Sequence, residues 1–178
     1  MHLRKLGVAL VLSVASLAFA AEDVVTATHG TITKIDKSAK TISVKTADGS
    51  EHDFHVAKDT TFHGADVAAN DSWHGLNAGS EVVAHSTKRG TEDTAVEVDK
   101  LGKDGLKRTE GTIKEMDRGG KKLVVTTADG TDHAFRLSGN AAADAGKDIG
   151  EGTEKGTKVA VYSTEHTGEK VAHFFEKM

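Results

Sequence analysis

Polar and apolar residues alternate through most of this chain, the pattern of strands with one buried face. Thr41-Ile42-Ser43-Val44-Lys45-Thr46 is the clearest run. Ala47-Asp48-Gly49-Ser50 follows it, and Asp-Gly between two such runs predicts a tight hairpin, since both residues can take positive φ. Glu51 to Val56 then runs back, with His52, Phe54 and Val56 on one face. The same pattern returns further on: Leu123 and Val125 outbound, Asp129-Gly130 at the turn, and His133, Phe135 and Leu137 on the return. Residues Gly30 to Phe54 in fact reappear 81 positions later as Gly111 to Phe135, with 12 of the 25 positions identical and no gap. The chain therefore reads as two copies of one small β unit.

Each copy continues through a less regular connection, Phe62 to Ala78 in the first and roughly Gly139 to Lys155 in the second. The copies then realign 77 positions apart, Gly79 to Thr87 against Gly156 to Thr164. A Gly-bearing turn and a last strand close each one, Thr94 to Leu101 and Lys170 to Lys177. Five strands per copy would leave bare edges in a flat sheet, so the pattern predicts an all-β protein of two tandem five-stranded barrels. The meander, the connection after the third strand and the final hairpin favour an OB-like barrel, with an SH3-like barrel as the alternative. The expected boundaries are 28–101 for the first barrel, 102–108 for a polar linker and 109–178 for the second. Ala65 to Asn70 is expected to form a short helix at the barrel end.

Composition changes this picture at the N-terminus. Arg4 and Lys5 precede an apolar stretch, Gly7 to Phe19, that ends in Ala18-Phe19-Ala20. That arrangement predicts a signal peptide over residues 1–20, cleaved after Ala20, and a periplasmic or secreted protein with no membrane span left after cleavage. There is no cysteine, so neither disulfides nor a lipid-bearing cysteine enter. The formal charge of −4 becomes −6 without Arg4 and Lys5, which argues against nucleic acid as a partner. Proline is absent, so Gly, Asp, Asn and Ser must make the turns.

Gly30, Ile32, Asp36, Ile42, Val44, Asp48, Gly49, Phe54, Gly79, Val82 and Ala95, with their partners in the second copy, form a pattern that resembles the short exported bacterial domains of unknown function with an OB-like barrel. The resemblance implies a fold and an envelope location. It brings no catalytic residue with it.

Histidine is the enriched functional type, with His29, His52, His55, His63, His74, His85, His133, His166 and His173 remaining after cleavage. The candidate metal set is His55, His63 and His74, with Asp66 or Asp71 as an added oxygen donor and Zn or Cu as the ion. His52 and His133 recur two residues before the repeated Phe54 and Phe135. They are read as barrel-end residues satisfied by a backbone carbonyl, with one geometry in both copies. Asp48-Gly49 and Asp129-Gly130 are read as turn chemistry. Trp73 and His74 form the candidate ligand-binding pair in the first connection, where Trp73 either stacks on a sugar or peptide or covers the barrel mouth. No nucleophile elbow or phosphate loop is present, so no catalytic residue is expected and the protein is read as non-enzymatic. The expected function is a binding or scaffold module of the cell envelope, with an envelope protein, peptide or glycan as partner. The alternative is a metal-binding protein using histidines of the first copy.

Overall fold

In a computed structural model of the chain, the described residues are 25–64, 73–102, 105–117, 119–141 and 155–178. The leader, the Ala65-to-Asn70 helix, and Asp66 and Asp71 lie outside them. The described residues form ten strands: β1 Thr26–Asp36, β2 Thr41–Lys45, β3 Glu51–His63, β4 Glu81–Arg89, β5 Glu92–Lys100, β6 Lys107–Asp117, β7 Lys122–Thr126, β8 Asp132–Leu137, β9 Lys158–His166 and β10 Glu169–Lys177. They form two closed sheets, in the orders β1-β2-β3-β5-β4 and β10-β8-β7-β6-β9. Each sheet contains one parallel pairing, β3 with β5 and β8 with β10. The protein is thus all-β and OB-like, and no helix among the described residues is long and apolar enough to cross a membrane.

Closure depends on β1 and β6, each of which serves two neighbours. Thr26 to Thr31 pair with β4, whereas Thr31 to Asp36 pair with β2. The strand bends between the two, at Gly30, where a Cβ would lie 2.4 Å from the Lys45 carbonyl oxygen. Gly111 occupies the same place in β6, 2.4 Å from Val125 Cγ1. The repeated glycine is therefore a close-approach residue, and we expect Gly30→Ala or Gly111→Ala to cost about 2 kcal/mol or more in urea unfolding. Gly49→Ala, at φ +89° but with nothing within 4 Å, should cost only about 1 kcal/mol.

The repeated turns are built as the sequence suggests. Gly49 N–H donates to the Thr46 carbonyl at 3.0 Å, and Thr46 N–H to the Ser50 carbonyl at 2.9 Å. Gly49 has φ +89°, and Asp48 is not among the residues with positive φ. Only the glycine is left-handed, because the turn runs over Thr46 to Gly49 and Gly49 closes it, while Asp48 inside the turn accepts from Ser50 N–H through Oδ1 at 3.0 Å. Asp129 accepts from Thr131 N–H at 3.0 Å in the second copy. Thr46 and Thr127 hydroxyls also donate to these aspartates, and this bond leads the causes that lower both carboxyls below their ordinary range. Asp36 and Asp117 likewise cap the preceding turns, accepting from Ala39 N–H at 2.9 Å and Gly120 N–H at 2.8 Å.

β3 runs to His63, past the Val56 end expected from its alternation. Its second half pairs in parallel with β5 after a register shift between Val56 and Thr61, a long-range pairing that local periodicity does not report. β6 likewise begins at Lys107, inside the expected linker, because Lys107 and Arg108 pair with Ser163 and Tyr162 of β9.

Each barrel has its own core. Ile32, Ile42, Val44, Phe54, Trp73, Leu76, Val82, Ala84, Ala95 and Val98 fill the first. Ile113, Leu123, Val125, Phe135, Leu137, Val159, Val161, Ala172 and Phe175 fill the second. A third cluster, Val83, Leu101, Leu106, Ala160, Tyr162 and Phe174, joins residues of both copies into a seam. The seam explains the unbroken burial of Val82 to Thr87 in β4: Val82 and Ala84 face the barrel, while Val83 faces the seam. β9 does the same, with Val159 and Val161 inward and Ala160 and Tyr162 in the seam.

Candidate metal centre at the seam

Strict alternation along β5 would place Ala95, Glu97 and Asp99 on one face, with two carboxylates in the barrel core. A bulge prevents this. His85 is in register with Glu97 and Ser86 with Ala95, so Val96 is the extra residue. Ala95 and Val98 consequently both enter the core, and Glu97 and Asp99 turn outward. β10 is bulged at the equivalent place: Ala172 pairs with Ser163 and Phe174 with Tyr162, leaving His173 as the extra residue. Ala172 and Phe175 stay in the core, and Phe174 enters the seam.

These two bulges bring four metal-ligating side chains together. One ligand atom from each of His63, Glu97, Asp99 and His173 lies within 4.8 Å of all the others. His63 Nδ1 is 3.1 Å from Asp99 Oδ1 and 3.1 Å from Glu97 Oε1. His173 Nδ1 is 3.0 Å from Glu97 Oε1. The two imidazole rings lie 4.0 Å apart between centroids, tilted at 38° to one another. Asp99 is fully buried, Glu97 and His173 are nearly so, and the His63 side chain retains 33% exposure, which leaves a path from solvent.

The other oxygen of each carboxylate is already held. His85, fully buried on β4, reaches Asp99 Oδ2 through Nε2 at 3.1 Å. Asn140 Nδ2 donates to Glu97 Oε2. His173 is steadied by the Thr164 hydroxyl, 2.9 Å from its Nε2. Asp99 Oδ1 and Glu97 Oε1 are thereby aimed at the His63 and His173 nitrogens, the kind of outer support that orients metal ligands.

The carboxylates dominate the electrostatics. Hydrogen bonding to Asp99, then to Glu97, lifts the His63 imidazole to about 9 against the opposing effect of burial. Burial by itself would raise the Glu97 carboxyl, but hydrogen bonds from His173 and His63 outweigh it and hold the group well below the usual carboxylate range. The signs set a pH window for stability. A raised imidazole stabilises the fold fully below its unfolded value of 6.5, and that contribution is lost as pH rises through about 9. A depressed carboxyl stabilises above its unfolded value of 4.5, and that contribution is lost as pH falls. Metal-free protein should therefore be most stable between those values and lose about 1–2 kcal/mol from pH 6.5 to 9, allowing for the solvent screening of a one-third exposed ring. Thermal melts of wild type and His63→Gln across that range check this, with the slope flattened in the variant.

No protein-family model matches this chain, and no curated protein matches it in sequence. Among solved structures, it is similar to the crystal structure of Ag(I)CusF, at TM-score 0.33 and 14% identity, over 43% of this chain and 97% of that one. It is also similar to CusF-Ag(I) residues 10–88 from Escherichia coli, at TM-score 0.35 and 15% identity, over 46% and 98%. A third likeness is to Drosophila Unr CSD456, at TM-score 0.38 and 16% identity, over 86% of this chain and 61% of that one. The chemistry of the seam is accordingly read from its own residues.

Of the expected metal trio, only His63 enters the cluster. His55 is in register with Thr94 and His63 with Asp99 on the same neighbouring strand. Five residues of strand separate those positions, roughly 16 Å, too far for one ion. His74 packs against Phe62 instead, with ring centroids 4.7 Å apart. Trp73 is 3% exposed and belongs to the first core, so its face is not free to stack on a sugar or peptide. His52 and His133 share a register, opposite Val44 and Val125, but not a side-chain environment. His52 is exposed beside Phe54, whereas His133 Nδ1 accepts from Lys170 Nζ at 2.8 Å. Among the described residues neither ring bonds a backbone carbonyl; His52 stacks beside Phe54 and His133 is held by Lys170.

Sequence reasoning missed Glu97, Asp99 and His173. A signal existed in β5: Glu97 and Asp99 interrupt the apolar Ala95, Val96 and Val98, and the equivalents of His85, Glu97 and Asp99, 77 positions later, are Tyr162, Phe174 and Glu176. The copies differ most consequentially in these last strands, and the second copy contributes a ligand.

Proposed function

We propose that this is a non-enzymatic binding protein of the cell envelope whose ligand is a divalent transition-metal ion, held by His63, Glu97, Asp99 and His173. The observation that carries this reading is the convergence of the four donor atoms within 4.8 Å, with the far oxygen of each carboxylate already engaged. Tetrahedral donors at the usual Zn²⁺ bond lengths of about 2.0–2.1 Å lie roughly 3.3 Å apart. The three contacts of 3.0–3.1 Å need to open by only a few tenths of an ångström, while the remaining donor pairs, all within 4.8 Å, close toward the same distance. Two imidazoles and two carboxylates, without a thiolate or thioether, favour Zn²⁺, Cu²⁺, Ni²⁺ or Co²⁺ over soft monovalent ions. Two carboxylate charges also neutralise a divalent ion. The envelope location rests on the leader and on the resemblance to exported domains.

Because the donors come from both copies, the tandem arrangement is itself the binding unit. Titration of the full mature chain with Zn²⁺, Cu²⁺ and Co²⁺ by competition with a chromophoric chelator tests the reading. One ion per chain is expected, with visible bands typical of four-coordinate Co²⁺. Absence of any binding tighter than about 0.1 mM would leave the cluster as an ion-pair network that only joins the copies.

A further inference from the structure

A second site stands apart from the seam, at the mouth of the first barrel. A cavity of about 350 Å³ opens there between the β1–β2 turn and the far half of β3, lined among the described residues by Lys37, Lys40, Lys58, Phe62, Trp73 and His74. Among the described residues no acid lines it, although acids outnumber bases in the chain as a whole. The three lysines are exposed, and none of them forms a salt bridge with a described residue, in contrast to Lys88, Lys114 and Lys122. Three ammonium groups around one opening make a local positive field in an acidic protein, which concentrates anions.

The floor is aromatic. Phe62 and His74 lie 4.7 Å apart at 32°, and Trp73 forms the wall beneath them. His74 holds a left-handed backbone, φ +51°, uncommon for a residue with a side chain. Its Nδ1 is the buried side-chain polar atom left without a hydrogen-bond partner among the described residues. An orphaned buried nitrogen and a strained backbone at one residue are costs that folded proteins concentrate at ligand clamps. A pocket of this size, mostly apolar with a few convergent polar groups, is the usual form of a small-molecule site. The second copy does not repeat it: the position equivalent to Lys58 is Gly139.

We propose that this mouth binds a small aromatic carboxylate, its ring against Phe62 and His74 and its carboxylate among Lys37, Lys40 and Lys58. The site is independent of the metal reading, and its test uses no metal. The chain has one Trp, so the Trp73 indole N–H gives a single reporter resonance beside the cavity. Titrating the full mature chain with 2-naphthoate should move that resonance saturably, with Kd on the order of 0.1–1 mM for a ligand of this size. The Lys37→Gln, Lys40→Gln, Lys58→Gln triple variant, all at exposed positions, should raise Kd at least tenfold while leaving the strand resonances in place. The neutral 2-naphthamide should bind at least tenfold more weakly than 2-naphthoate, and inorganic phosphate should not move Trp73. No saturable shift up to about 10 mM, an unchanged Kd in the triple variant, or equal binding of the amide would overturn the proposal.

Discussion

Replacing His63 and His173 together by alanine is expected to abolish metal binding by the mature chain, lowering Zn²⁺ affinity by at least 100-fold. Loss of an outer-shell group around a bound metal already costs about 10- to 100-fold, and these two residues supply both nitrogen donors. Glu97→Gln should have an effect of similar size, since it removes the carboxylate charge and, with Asn140 holding the remaining carbonyl oxygen, turns an amide nitrogen toward the two imidazoles. His55→Ala combined with His74→Ala should leave affinity unchanged, because His55 is in register with Thr94, well along the strand from Asp99, and His74 packs on Phe62. The binding reaction carries a further signature. His63 is charged near neutrality, its imidazole having been lifted to about 9, and it must give up a proton to act as a ligand. Calorimetry in buffers of different ionisation enthalpy should report about one proton released per ion at pH 7, and none from this source in His63→Gln. Equal affinity in wild type and the double histidine variant would exclude the cluster as the site.

Asp99→Ala should be the most destabilising single polar substitution in the first copy. Asp99 has no solvent exposure, and its two oxygens accept from two different histidines, one of them fully buried. Removing the carboxylate leaves His85 sealed under the seam without its acid and removes the leading cause of the His63 shift. Breaking a buried pair from one side typically costs about 3–5 kcal/mol. For a chain of this length that corresponds to a fall in Tm of roughly 6–15 °C. The exposed Asp48→Ala, which loses only turn bonds, should lower Tm far less. If the two variants melted together, the seam would not contribute as its burial indicates.

Much of the architecture was legible in the letters. The alternation in Thr41 to Thr46, the Asp-Gly pairs and the repeat of Gly30 to Phe54 are local signals, and strand, turn and duplication follow from local chemistry. The letters leave the dihedrals open there: of the two residues in each turn able to take positive φ, only the glycine does, while Asp48 and Asp129 engage the Ser50 and Thr131 amides.

The site was much less legible, because its members are far apart in the chain and meet through pairings that periodicity does not encode. His63 reaches Asp99 only because β3 continues past its alternating half and pairs in parallel with β5. Glu97 and Asp99 leave the core only because Val96 is bulged, and His173 approaches Glu97 across the copies from a second bulge. A bulge reverses which face every later side chain takes, so strict alternation assigns those faces wrongly. The repeat by itself points to function within a single copy, in the first connection. By itself the sequence determined an all-β chain of two like units with turns made by Asp and Gly, since those properties arise between near neighbours. The tertiary structure decided which histidines and acids share a site, since that depends on how the outer faces of β4, β5, β9 and β10 are brought against one another.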